Sequence, residues 1–209
     1  MDQPLLSPEQ VSWGTEPAER ADAARNRRLL LATAREMLTE DGADKLTMDR
    51  LAERAGLGKG TVFRRFGTRA GIFRALLDDA ERSFQELVLT GPPPLGPGAP
   101  PLDRLVAYGR ARIGFLIEHR DIARATLDGS EPIPAGSRTP MSQLHIRVLL
   151  GQMDIGPADL DMLAVQLSAA LDGPLLLYLS ADDLAEPAPR TAERIARAWH
   201  DLIRRACRP

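Results

Sequence analysis

The stretch that decides the fold covers residues 46–66 and reads LTMDRLAERAGLGKGTVFRRF. Its first half predicts a short helix that begins at Thr47, whose hydroxyl can cap free backbone amides, and that ends near Ala55. Asp49 lies in the first turn, where its charge suits the positive end of the helix dipole. Gly56 follows at a tight turn that needs a positive φ, which glycine adopts without steric cost. The pattern predicts two short helices that cross steeply, a helix-turn-helix.

The second helix of the pair is predicted over residues 58–66. The side chains that bury the two helices against each other are small or apolar: Leu51, Ala52, Ala55, Leu57 and Val62. The opposite side presents five residues that suit a major groove: Lys59, Gly60, Thr61, Arg64 and Arg65. Gly60 costs roughly 0.5 to 1 kcal/mol of helix stability relative to Ala. Close approach of the helix backbone to DNA is the expected reason, and simple tolerance within a well-packed helix is the alternative.

Charge is concentrated around this motif. The whole chain has a formal net charge of -2, but residues 45–76 hold eight basic residues against two acidic ones. A local basic patch on a mildly acidic chain is the electrostatic pattern of a small DNA-reading domain. A charged face that only solvates the fold is the alternative.

Residues 46–69 resemble the DNA-binding domain of the TetR (tetracycline repressor) family, and the similarity extends over residues 21–77. The resemblance implies an N-terminal three-helix DNA-binding unit, a connecting fourth helix over residues 68–89, and a divergent helical domain for effector binding and dimerisation. It also implies contacts to DNA bases or backbone from five positions: Thr47, Lys59, Thr61, Phe63 and Arg69.

Three positions depart from the usual pattern of the family. Phe63 stands where Tyr is usual, so a hydrogen bond to phosphate is lost while a packing ring remains. Gly58 replaces a frequent Ser at the start of the recognition helix, a change that costs only a few tenths of a kcal/mol. Arg69 replaces a frequent Lys and keeps the charge, so a phosphate contact is still expected.

The remainder of the chain predicts an all-α protein, because its apolar residues recur at helical spacing. Residues 1–19 are expected to form a flexible tail, 20–90 the helix-turn-helix domain with its connecting helix, 91–101 a linker rich in Pro and Gly, and 102–209 the ligand-binding and dimerisation domain. Further helices are expected over 21–41 and 190–206, with a connection over 129–140. Pro174 should divide or bend the helical segment 158–181.

Two groups of residues in the C-terminal part are candidates for binding. Mixed aromatic and polar side chains on the helix after the linker, together with one histidine further on, can line an effector pocket: Tyr108, Arg112, Phe115, His119 and His145. A half-exposed boundary stripe, or a core histidine, is the alternative. A second group suits a dimer interface, with burial within one subunit as its alternative: Leu163, Leu167, Ile195, Trp199 and Leu202.

Composition excludes several classes of protein. Apolar residues make up 44% of the chain and charged residues 27%, which is typical of a folded globular protein. Cys207 is the single cysteine, so no intramolecular disulfide or cysteine metal site is possible. The longest apolar run is far too short to cross a bilayer, and the N-terminus lacks signal-peptide features. A cytoplasmic protein without a membrane segment or cofactor is expected.

The combined hypothesis is a ligand-responsive transcriptional repressor that binds a palindromic operator in double-stranded DNA as a homodimer, with an unknown small-molecule effector. The residues show no nucleophile set, phosphate loop or metal-ligand cluster, so an enzyme is not expected. A protein-interaction adaptor that keeps the helix-turn-helix without reading DNA is the alternative.

Overall fold

The computed structural model describes residues 17–126, 141–179 and 188–207. These ranges are helical and hold no strand, which confirms the predicted all-α fold. The helices are α1 (Pro17–Asp41), α2 (Met48–Ala55), α3 (Lys59–Phe66), α4 (Arg69–Thr90), α5 (Pro101–Glu118), α6 (Arg120–Ala125), α7 (Met141–Leu150), α8 (Leu160–Leu179) and α9 (Ala188–Ala206), with a turn of 3-10 helix at Ala43–Lys45.

Local chemistry sets the ends of α2. The Thr47 hydroxyl accepts a hydrogen bond from the backbone N–H of Arg50 at 3.2 Å and so caps the helix, as predicted. Gly56 ends it at φ 64°, in the left-handed region expected from the sequence. The N–H of Leu57 then donates to the carbonyl of Ala52 at 3.0 Å, which closes a Schellman turn. The turn directs the chain into α3.

The first three helices and the start of α4 enclose one apolar cluster, the N-terminal core. Its fully buried members include Leu30, Met37, Leu51, Val62 and Phe73. Each comes from the apolar stripe of its own helix, so the four elements have one shared interior. The pair α2 and α3 is therefore held as a rigid unit.

A second apolar cluster, the C-terminal core, fills the space between the later helices. Its fully buried members include Leu105, Ile146, Leu149, Leu150 and Ile203. Helix α4 belongs to both clusters, because its first half supplies residues up to Leu76 to the N-terminal core and its second half supplies Phe84 and Val88 to the C-terminal core. The two cores therefore meet on α4, ahead of the predicted linker 91–101.

Helices α5 and α9 approach closely at one glycine. A Cβ atom on Gly109 would lie 1.9 Å from Nε1 of Trp199, so any larger residue would collide with the indole. The indole N–H donates to the carbonyl of Leu105 at 3.2 Å, and Trp199 is only 3% exposed. The contact fixes α9 against α5.

The structure bears on three sequence predictions about the elements. Helix α1 begins at Pro17, so the last three residues of the tail predicted over residues 1–19 are helical; residues 1–16 lie outside the described part. Of the two outcomes predicted at Pro174, division does not occur, since α8 continues through it. The connection predicted over 129–140 lies outside the described residues. No helix in the described ranges is long and apolar enough to span a bilayer.

Candidate functional site

Helix α3 has one buried side and one exposed side. Val62 is fully buried and Phe66 is half-buried, so they seat the helix on the N-terminal core. Most of the predicted contacts lie on the other side: Lys59, Gly60, Phe63, Arg64 and Arg65 are exposed, and Thr61 is half-buried. One face of a short helix therefore presents cations, a hydroxyl and an aromatic ring to the outside.

No contact within the described part of the chain explains why residue 60 is a glycine. It lies in the first turn of α3, where glycine lowers helix stability. A Cβ added at Gly60 would meet nothing within 4 Å, and the backbone there is ordinary helix. The small size of this residue is therefore not required by any neighbour in the described part of the chain.

Phe63 corrects one prediction. Its ring was expected to pack, yet the side chain is 63% exposed. The reason is helical geometry, because Phe63 is one position after Val62 and so lies about 100° around the helix from the buried side. Phe63 is thus part of the exposed surface.

Arg65 and Arg69 are both engaged with backbone carbonyls. Arg65 donates to the carbonyl of Ala23 at 2.8 Å and stays exposed at the surface. Arg69 donates through Nε to Leu46 at 2.7 Å and through an Nη to Ala43 at 2.6 Å. These bonds tie the start of α4 to the turn before α2. Arg69 therefore has a structural role.

Ion pairs reduce the local surplus of positive charge. Arg50 lies 2.9 Å from a carboxylate oxygen of Asp41, and Arg54 lies 2.5 Å from one of Glu40. Both acidic partners belong to α1, outside the window 45–76 that was used to count the surplus. Two of the eight cations in that range are therefore neutralised by carboxylates from outside it. The remaining cations near the exposed side of α3 are Lys59, which pairs with Asp49 at the surface, and Arg64 and Arg65.

Comparison with known proteins identifies this N-terminal unit. Residues 30–76 match the family model described as bacterial regulatory proteins, tetR family. A DNA-binding transcriptional repressor TetR from Mycobacteroides abscessus is 39% identical over 59 residues, which are 28% of this chain and 31% of that protein. Residues 30–76 therefore belong to the tetR family of bacterial regulatory proteins. A match to regulatory proteins agrees with the expectation that the chain is not an enzyme.

Solved structures of TetR-family regulators share the fold over most of the chain. A regulator from Pectobacterium atrosepticum has a TM-score of 0.67 at 20% identity and covers 91% of this chain and 98% of its own. One from Thermobifida fusca has a TM-score of 0.57 at 17% identity and covers 85% and 97%. The likeness extends the TetR architecture to the C-terminal helices.

The five candidate pocket residues lie together among the C-terminal helices. The ring of Tyr108 lies 4.8 Å from that of His145, and the ring of Phe115 stacks on His119 at 4.4 Å between centroids. The guanidinium of Arg112 lies 5.1 Å from the Phe115 ring centre. The predicted pocket residues therefore form one cluster of contacting side chains between the C-terminal helices.

Three residues that sequence reasoning missed complete this cluster. Glu81 of α4 accepts from Arg112 at 2.6 Å, and Phe84 lies one turn further along, with its ring 5.2 Å from Phe115. Ser142 of α7 accepts from the hydroxyl of Tyr108 at 2.6 Å. Glu81 and Phe84 come from α4 and Ser142 comes from α7, so no spacing in the sequence relates them to their partners on α5. The available signal was the spacing of Glu81 and Phe84, which are three positions apart on one face of α4.

Burial sets the protonation of the cluster. It lowers the pKa of His145 to about 4, helped by the charge of Arg104. It raises the pKa of the Asp172 carboxyl, although Arg112 opposes that shift, and it raises the pKa of the Tyr108 phenol. At neutral pH His145 and Tyr108 are therefore neutral, and Glu81 and Arg112 form an ion pair.

The five candidate interface residues divide into two groups. Trp199 and Leu167 are each 3% exposed and belong to the C-terminal core, so they contact their own subunit rather than a free surface. A helical seam looks the same whether it faces a partner or the core, which is why the sequence did not separate them. Leu163 and Ile195 are half-buried, and Leu202 is exposed. Met162 and Val165 of α8 are exposed apolar residues that the prediction missed.

Proposed function

We propose that this chain is a DNA-binding transcriptional regulator in which α3 is the recognition helix. The observation that carries the proposal is the exposed side of α3, where Lys59, Thr61 and Arg64 surround a glycine that no neighbour requires. Lys and Arg donate to guanine edges, and the methyl group of Thr contacts thymine. The rigid N-terminal core would hold this face for insertion into a major groove.

A homodimer would place two such helices on one duplex. Two recognition helices related by a two-fold axis fit half-sites about 34 to 36 Å apart, or further apart by whole turns, so a palindromic operator is expected. The exposed apolar side chains of α8 and α9 support a partner there, because a partner would remove them from water. We place the interface on Met162, Val165 and Leu202, with Leu163 and Ile195 at its edge.

Control by a small molecule and repression complete the proposal. A ligand that binds one spacing of the recognition helices better than another would shift the population between DNA-competent and released states. The C-terminal cluster around Arg112 supports this role because it joins α4, α5 and α7 through buried polar groups. The division of labour is thus a reading domain over residues 20–90 and a sensing and dimerising domain over residues 102–209.

A footprint on the DNA upstream of the chain's own coding region tests the DNA-reading function. A protected segment with two-fold symmetry is expected. In gel shifts on that segment, Lys59→Ala and Arg64→Ala should each weaken binding about 10-fold or more, since a good base contact contributes about 1 to 3 kcal/mol. Arg82→Ala removes an exposed cation on α4 and is the matched control. Binding that is absent, or indifferent to both α3 variants, would support the adaptor alternative.

Gly60→Ala separates folding from recognition. The added methyl group meets nothing in the chain, so the free energy of unfolding should rise by about 0.5 to 1 kcal/mol. If the helix backbone approaches DNA closely, the same methyl group should weaken operator affinity several-fold. A variant that gains stability and keeps full affinity would show that Gly60 is merely tolerated. Urea unfolding and fluorescence anisotropy with labelled operator measure the two effects.

A charge on α8 tests the interface. Val165→Glu should convert the dimer to a monomer in analytical ultracentrifugation, because a carboxylate would have to be desolvated in the contact. Val148→Glu introduces the same change at an exposed valine on α7 and is the control. A dimer that survives Val165→Glu would place the interface elsewhere.

A further inference from the structure

The C-terminal cluster contains a buried cation with an unused donor. Arg112 is only 4% exposed, and one of its Nη groups donates to Glu81. Its Nε lies out of contact with solvent and has no hydrogen-bond partner within the described part of the chain. Burying a guanidinium N–H without an acceptor is costly, so the site is incomplete as a purely structural ion pair.

Further buried polar atoms on α5, α7 and α8 are also unsatisfied. The Nε of Arg104, the Nε2 of His145 and the Oγ of Ser168 are buried without a partner among the described residues. The guanidinium Nε groups can only donate, whereas the hydroxyl and the imidazole can donate or accept. What this set needs is a molecule that supplies acceptors.

The balance of charge selects the sign of that molecule. The ion pair of Arg112 with Glu81 is neutral in sum, and burial favours the neutral forms of Asp172 and His145. Arg104 is close enough to His145 to lower the pKa of its ring. Both guanidinium groups, of Arg112 and Arg104, have a buried Nε that lacks an acceptor among the described residues, so an anionic group suits the cluster better than a cation, which accepts no hydrogen bond.

The aromatic walls select the rest of the molecule. The rings of Phe84 and Phe115 lie 5.2 Å apart and both flank the guanidinium of Arg112. Apolar surface beside a single charged donor suits a ligand with an apolar body and one anionic head. Arg matches a carboxylate in particular, because its planar fork can donate two parallel hydrogen bonds.

We propose that this cluster binds a small organic carboxylate, whose oxygens accept from Arg112 Nε while its apolar body packs against Phe84 and Phe115. The inference rests on the proposed ligand-controlled function and names the chemical class of the effector. It also supplies a route to α4. The incoming carboxylate shares the guanidinium that holds Glu81, and Glu81 lies five positions after Leu76, the last residue that α4 gives to the N-terminal core. Weakening that ion pair loosens the helix that carries the DNA-binding domain.

Calorimetric titration of the full-length protein with a matched set of probes tests the proposal. The set is 3-phenylpropanoate, 3-phenylpropanamide and 3-phenylpropylammonium, which share a body and differ in charge. The carboxylate should bind at least 10-fold more tightly than the amide, and the ammonium compound most weakly. Equal affinities, tighter binding of the ammonium compound, or no binding of any probe at millimolar concentration would overturn the proposal.

Variants assign the effect to Arg112. Arg112→Gln should remove the preference for the carboxylate, and Arg110→Gln, an exposed change two positions away on α5, should leave it intact. Arg112→Gln leaves Glu81 without its cation and can unfold the chain, so the double variant Arg112→Gln with Glu81→Gln is measured beside it after a check of helicity by circular dichroism. A folded variant that keeps the preference would contradict the assignment.

Operator binding is measured separately by anisotropy, with and without 3-phenylpropanoate. If the ligand-free protein binds no DNA while the calorimetric preference holds, the proposed DNA function fails and the ligand class stands. If DNA binds and the charge preference is absent, only the ligand class fails.

Discussion

The two cores of this protein differ in what they bury. The N-terminal core is built from apolar side chains such as Leu30, Val62 and Phe73, and its charged residues stay at the surface or on backbone carbonyls. The C-terminal core is of similar construction but surrounds Arg112, with Tyr108 and Ser142 beside it. Both are closed by helices, and α4 contributes to each.

This difference in buried groups makes the N-terminal core rigid and lets the C-terminal core respond to a ligand. A close-packed apolar core has one favourable arrangement of its side chains, so it holds α2 and α3 at a fixed relative position. A core with a shared buried cation and unpaired donors has alternative partners for the same atoms, and a ligand can choose between them. In this chain the rigid half carries α3, the proposed recognition helix, and the adaptable half carries the candidate sensor.

The largest effect is expected from a cavity in the N-terminal core. Phe73 is fully buried, so Phe73→Ala should lower the free energy of unfolding by about 3 to 5 kcal/mol. Leu29→Ala, at an exposed apolar position on α1, is the control and should change it by less than about 1 kcal/mol. Urea unfolding followed by circular dichroism compares them. Equal losses would break the description of this core as tightly packed.

The buried ion pair gives the next largest effect. Arg112→Met leaves the Glu81 carboxylate largely desolvated without its cation and should cost about 2 to 3 kcal/mol. The double change Arg112→Met with Glu81→Leu replaces both charges by apolar groups and should recover most of that loss. The same unfolding experiment measures both. A double variant as unstable as the single one would show that the charges serve stability rather than sensing.

His145 gives the C-terminal core a dependence on pH. Its pKa falls from 6.5 to about 4 on folding, so the unfolded chain binds more protons between those values and stability is lost as pH falls through that window. The loss should be on the order of 2 kcal/mol between pH 7 and pH 4.5. His145→Gln should remove this loss of stability. Asp172 contributes in the opposite direction, but it is present in both the parent protein and the variant, so its contribution cancels when their free energies of unfolding are subtracted. Parallel profiles would contradict the assigned cause.

The smallest effects come from two glycines in the two halves. Gly56→Ala forces a side chain into φ 64° and should cost about 1 kcal/mol. Gly114→Ala adds a methyl group at an exposed helical position with open space and should add about 0.5 to 1 kcal/mol. Thermal unfolding should therefore shift in opposite directions. Shifts of the same sign would mean that the turn after α2 is less constrained than its geometry indicates.

Much of the helix-turn-helix and its surroundings was predictable from sequence, and less of the C-terminal cluster was. The cap at Thr47, the turn at Gly56 and the buried side of α3 at Val62 follow from residues within a few positions of each other. Glu81 and Ser142, by contrast, join the Arg112 and Tyr108 cluster from separate helices, 31 and 34 positions away from their partners. No local pattern encodes such a meeting.

The sequence by itself determined the helix-turn-helix, because capping, backbone conformation and helical periodicity act over short distances. Tertiary structure decided which side chains are exposed at the surface and which are buried. It placed Phe63 outside, turned Arg69 inward onto the carbonyls of Ala43 and Leu46, and enclosed Trp199 against Gly109. The physical reason is that a helical stripe shows which residues share a face, whereas only the packed neighbours determine whether that face meets core, partner or solvent.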